Sequence, residues 1–155
     1  MRREDAHRVH DKADAFHEYI NKGAIDSAQL AFRMMMLING GAAVALLAFI
    51  AKLDAAHRGA LADTLVWFAS GVGFAVAGVA LTYFTNFFLA GISGSMERRW
   101  EHPYLVDGPR TKLYRCLRMA FHIAAVVVGL LSLVTFVWGV LDVRDALHLL
   151  NGGAA

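Results

Sequence analysis

TLVWFASGVGFAVAGVALTYFTNFFLAGISGSM, residues 64–96, contains no Asp, Glu, Lys or Arg. As a helix it is roughly 50 Å long at 1.5 Å per residue, well beyond a hydrocarbon core of about 30 Å. A surface helix of a water-soluble domain needs a polar face, and this stretch has none. Two further stretches share the property. Residues 34–51 and 119–141 also lack every charged residue, so all the charges of the chain fall outside these three runs. The sequence therefore predicts an all-α integral membrane protein with three transmembrane helices, preceded by an amphipathic cytoplasmic helix at the N-terminus.

The chain has 155 residues, 57% of them hydrophobic, with 15 Lys and Arg against 13 Asp and Glu. Balanced charge of this size argues against a strongly charged nucleic-acid binder. The single cysteine, Cys116, excludes a disulfide framework or a thiolate metal cluster within one chain. The polar first 33 residues contain no export signal, because Arg2 and Arg3 lack an adjacent apolar region, so span 1 is expected to direct insertion.

Working outward, the spacing predicts helices over 4–22, 27–51, 64–93 and 117–141, a polar link over 52–63, a cytoplasmic loop over 97–115 and an outer tail over 142–155. In the first helix Val9, Ala13, Phe16 and Ile20 recur at i, i+4, i+7 and i+11, forming a narrow apolar stripe in mixed charge. That stripe suits a partner helix or the membrane surface. Gly23, followed by the capping pair Asp26 and Gln29, predicts a break near 23–25. If the over-long second span projects into water, the N-terminal helix is expected to cover Phe87, Phe88 and Ile92.

Cations set the sidedness. Arg2, Arg3, Arg8, Lys12, Lys22 and Arg33 precede span 1, and Arg98, Arg99, Arg110, Lys112, Arg115 and Arg118 separate spans 2 and 3; only Lys52, Arg58 and Arg144 lie on the other side. The positive-inside rule then places the N-terminus in the cytoplasm and the C-terminus outside, in a cell inner membrane. Trp67 and Trp138 then both fall near the outer interface, and Tyr114 near the inner one.

Few polar residues enter the spans. Asn39, Thr82, Thr85, Asn86 and His122 are expected at similar depth in the cytoplasmic leaflet, where unpartnered amides and imidazoles are costly. They either hydrogen-bond between helices or line a polar recess, and the bonding role is the simpler one. No acidic residue lies within the spans, which argues against a proton relay, and a lone intramembrane His122 argues against two-histidine haem. Small residues are spaced for close helix approach: Gly40 and Gly41 in span 1, and Gly71, Ala75 and Gly78 in span 2. His7, His10, Asp14 and His17 share one face of the N-terminal helix with metal-ligand spacing, but one helix face rarely closes a coordination shell, so a solvated face is expected and no metal.

No cofactor and no enzymatic motif is expected. The sequence reads as a non-enzymatic membrane assembly or interaction module, oligomeric or an accessory subunit, whose partners are the lipid bilayer and either further copies or another membrane protein, with no nucleic acid. Two alternatives are a small oligomeric pore or carrier lined by the polar layer, and a membrane redox subunit using His122.

Overall fold

The computed structural model describes residues 2–53 and 55–152. It contains three long helices and one small hairpin: α1 (Arg2–Ile50), α2 (Ala55–Ser95), β1 (Glu97–Arg98), β2 (Leu105–Val106) and α3 (Thr111–Gly152). All three helices are long and apolar enough to cross a membrane. Both prolines of the chain, Pro103 and Pro109, fall between β1 and α3, where a missing N–H interrupts no helix.

The helices are longer than the apolar runs within them. α1 has 49 residues and passes through Gly23 without the expected break. A mid-helix glycine costs only about 1 kcal/mol relative to alanine, too little to stop a helix with good formers on both sides. Likewise α2 begins at Ala55, so most of the expected 52–63 link is helical. α3 starts at Thr111 and continues to Gly152. The loop is correspondingly shorter than 97–115, and the tail beyond 141 is an extension of the last helix; residues 153–155 lie outside the described part. Charged residues end an apolar stretch, but they do not end a helix.

The chain divides into two compact units, one of Met1–Gln29 with Ala80–Ala124 and the other of Leu30–Val79 with Ala125–Ala155. In the second, α2 and α3 run antiparallel. Trp67 stacks on Trp138 with ring centroids 6.3 Å apart, and Phe68 meets Phe136 at 6.0 Å. α1 packs alongside, and Leu46, Leu61, Phe68 and Ala146 form the buried cluster. Much of the remaining apolar surface faces outward, including Leu37 at 66% and Val44 at 67% exposure. Close approach here relies on absent side chains. A Cβ on Gly78 would run into the ring of Phe32, and one on Gly139 would sit 2.8 Å from the ring of Phe68.

In the first unit, an aromatic ladder joins α2 to α3. Phe84 and Phe88 lie 5.2 and 5.3 Å from Phe121, and Phe88 also lies 6.3 Å from Tyr114. Ile92 is buried, whereas Phe87 remains 58% exposed. The cover found for Phe88 is therefore α3. β1 and β2 pair antiparallel, with Glu97 opposite Val106 and Arg98 opposite Leu105. The His102–Pro103 peptide between them is cis.

The glycine contacts set a testable contrast. Gly78→Ala forces the Phe32 ring to move, a crowding cost of about 1–3 kcal/mol. Gly73→Ala, with nothing within 4 Å of its Cβ position, gains helix propensity instead. Denaturation of the purified protein in mild detergent should show the two shifts with opposite sign.

Candidate functional site

The second unit is tied by a polar junction of three helices. Asn39 of α1 is completely buried, as is Ser132 of α3. Asn39 Nδ2 donates to the Met35 carbonyl at 3.0 Å, and to both the carbonyl and Oγ of Ser132 at 3.3 Å. Ser132 Oγ passes the chain on by donating to the Gly71 carbonyl of α2 at 2.8 Å. Thr135 Oγ1 donates to the Ser132 carbonyl at 3.0 Å, giving that oxygen a second side-chain donor.

Asn39 Oδ1 is buried without a conventional donor. It is directed at the hydrogen that Gly71 carries where another residue would carry Cβ. A Cα–H···O contact of this kind contributes about 0.5–1 kcal/mol and leaves the acceptor partly satisfied. Gly71 thus supplies a carbonyl to Ser132 and an unobstructed Cα to Asn39. Any larger residue would displace the amide.

Nearer one end of this unit, the fully buried Thr64 donates from Oγ1 to Asp142 Oδ2 at 2.6 Å. An apolar groove of about 370 Å³ lies among Ala42, Leu46, Phe49, Phe68, Val140 and Val143. These side chains offer no nucleophile, acid or base.

In the first unit, Ser95 and Thr111 close the loop between α2 and α3. Their hydroxyls lie 2.8 Å apart, Ser95 Oγ donates to the Ile92 carbonyl at 2.9 Å, and the Gly108 N–H donates to Thr111 Oγ1 at 3.0 Å. Gly108 is buried against Ser95, and a Cβ there would collide with the Ser95 carbonyl.

The loop so anchored carries a landing site for α1. His10 is buried and its Nε2–H donates to the Tyr104 carbonyl at 3.0 Å, an oxygen that can only accept. Trp100 lies edge-on to His7 with centroids 5.0 Å apart and 6.0 Å from His10. Arg98 Nη2 reaches Asp14 at 2.9 Å, but both side chains are more than half exposed, which limits the pair to about 0–1 kcal/mol. Burial of His10 against Trp100 and Tyr104 therefore outweighs the ion pair in holding the helix.

Asn39 sits in the three-helix junction with Gly71. Ala75 and Gly78 are buried, and Gly40 approaches Val72 at 3.9 Å, while Gly41 is exposed with open space at its Cβ position. Thr82, Thr85, Asn86 and His122 belong to the other unit. Thr85 bonds back to the Leu81 carbonyl of its own helix at 2.9 Å, Thr82 and Asn86 are half-buried, and His122 is exposed. Asn39 bonds within its own unit, to Met35 and Ser132, and not to these four. Among the described residues no group of three or more His, Cys, Asp or Glu could hold a metal. His7, His10 and Asp14 instead meet Trp100, Tyr104 and Arg98; the side chain of His17 lies outside the described ones.

Ser132, Ser95, Thr111 and Trp100 carry this architecture without having stood out in the sequence. Serine and threonine in a helix usually bond to their own backbone, as Thr85 does, so nothing marks those that reach across. Trp100, a large aromatic inside the charged ERRWEH segment, was the readable signal. The chain matches no family model, no curated protein and no solved structure.

A double-mutant cycle of Asn39→Ala and Ser132→Ala should show coupling of about 0.5–1.5 kcal/mol in detergent unfolding, the range for interhelical polar pairs. Trp100→Ala should release the N-terminal part of α1, accelerating tryptic cleavage after Arg8, Lys12 and Lys22 severalfold, whereas Arg98→Ala should change it little.

Proposed function

We propose that this chain is a non-enzymatic integral membrane assembly or interaction module, acting as an oligomer or accessory subunit. It sits in the cell inner membrane with the N-terminus in the cytoplasm and the C-terminus outside. One observation carries the reading. The buried polar side chains Asn39, Ser132, Thr64 and Thr111 end in hydrogen bonds to other stretches of the same chain, so they fix packing and present no reacting group to a substrate. What the chain offers outward is apolar helix surface together with a charged hairpin that grips its own N-terminal helix. A permeation path through Asn39 would have to break the bonds that join the helices.

The sidedness rests on the cation distribution alone; the stacked Trp67–Trp138 pair suits a membrane interface on either side.

Purification in mild detergent with light scattering should give a protein mass above the 16.9 kDa of one chain, or a co-purifying membrane protein in stoichiometric amount. A lone monomer from native membranes with no partner overturns the reading. Alkaline phosphatase fused after Ala155 should be active and a fluorescent protein at the same place dark.

A further inference from the structure

Among the described residues, two buried side-chain atoms find no hydrogen-bond partner in the chain, Asn39 Oδ1 and Arg118 Nε. The first rests against the open Cα of Gly71. The second belongs to a group that keeps its charge at any ordinary pH, so leaving it unpaired is the costlier case. Arg118 lies on α3 in the unit that holds the hairpin, and it is half-buried. The carboxylates of the described ion pairs go elsewhere: Asp14 to Arg98, Glu97 to Arg99, Asp107 to Arg115 and Asp145 to Arg144. A water molecule would satisfy the N–H but not the charge, whereas an anion from outside the chain satisfies both.

Two neighbours on α3 share the face of Arg118. Arg115 precedes it by three residues and His122 follows by four, and all three fall within about 60° on a helical wheel. Arg115 gives Nη2 to Asp107 at 3.2 and 3.3 Å, and its guanidinium has further N–H groups beyond that pair. His122 is exposed, although it stands inside the uncharged run 119–141. Nothing along these helices repels an anion. α3 carries no Asp or Glu before Asp142, and α2 carries none from Ala80 to Ser95.

We infer that Arg118 and His122, with Arg115 beside them, form a site for a phosphate oxyanion, either the phosphodiester of a phospholipid headgroup or free phosphate. The guanidinium fork matches two phosphate oxygens, and the imidazole one turn further on donates another N–H. Position selects this class of anion. Arg118 is the last cation before the uncharged run, roughly 6 Å along the axis from His122, and in a bilayer that border is the headgroup level, where phosphates are the abundant anions. One chain suffices for the site, so it does not depend on the assembly reading; only the lipid source rests on the membrane placement.

The test is native mass spectrometry of the full chain in mild detergent, with dioleoyl phosphatidylglycerol, the matching diacylglycerol or inorganic phosphate as probe. Phosphatidylglycerol should be retained, and the diacylglycerol, with the same chains and no phosphate, should not. Arg118→Gln should weaken retention at least tenfold and His122→Leu severalfold, with helicity checked by circular dichroism. Arg110→Gln, which removes the same charge just before α3 and off this face, should change it little. Displacement of the lipid by millimolar phosphate, or binding of phosphate alone, supports the site with free phosphate as its ligand; retention against phosphate supports it with the headgroup. Equal retention of the two lipids, binding of neither probe that bears phosphate, or equal weakening by Arg118→Gln and Arg110→Gln overturns the inference. Because His122 is exposed, His122→Leu decides the matter should Arg118→Gln fail to fold: unchanged binding there overturns the site as drawn. A monomer that holds phosphatidylglycerol leaves the site standing while the assembly reading falls, and an oligomer that holds neither ligand does the reverse.

Discussion

The junction of Asn39, Ser132 and Gly71 is the constraint on which the helical packing depends. Between helices this apolar, one leucine packs against another in many registers, so what selects a register is close backbone approach and the pairing of the few polar groups available. Here both act at one point. Asn39 reaches Ser132, Ser132 reaches Gly71, and the missing side chain at Gly71 gives the amide its room. Phe32 over Gly78 and Phe68 over Gly139 extend the same device along the helices, with a ring lying where a Cβ is absent.

A second device operates in the unit that holds the hairpin. Hydroxyls of Ser95 and Thr111 hold the loop, the loop presents Trp100 and Tyr104, and these receive His10. The N-terminal segment is attached through its polar face, against the ordinary expectation that an amphipathic helix buries its apolar stripe. Imidazole rings allow this, since they offer both a flat surface to an indole and a proton to a carbonyl.

Much of the architecture was legible in the sequence because an uncharged run of this length has no polar face to offer as a surface helix. The three uncharged runs fall within three helices long and apolar enough to cross a membrane. Asn39 and the glycines at 71 and 78 stood out as exceptions within apolar segments. The boundaries were less legible. Gly23 with its capping pair looks like a stop, yet an unbroken helix costs so little there that nothing forces one. The partners of polar residues were harder still: Ser132 and Thr85 are similar in sequence context, yet one bridges to another helix and the other bonds to its own. That difference lies in rotation about the helix axis, which composition does not record. His122 likewise looks inward by its polarity and is exposed in the fold.

The geometry at Gly71 also bears on how such a chain can drift over generations. Positions 39 and 71 are sterically linked: an alanine at 71 would need a shorter residue at 39, whereas the serine at 132 keeps the main-chain carbonyl of residue 71 as its acceptor. Change at this pivot should therefore come in pairs, 39 together with 71, while the serine keeps an acceptor whichever side chain residue 71 carries.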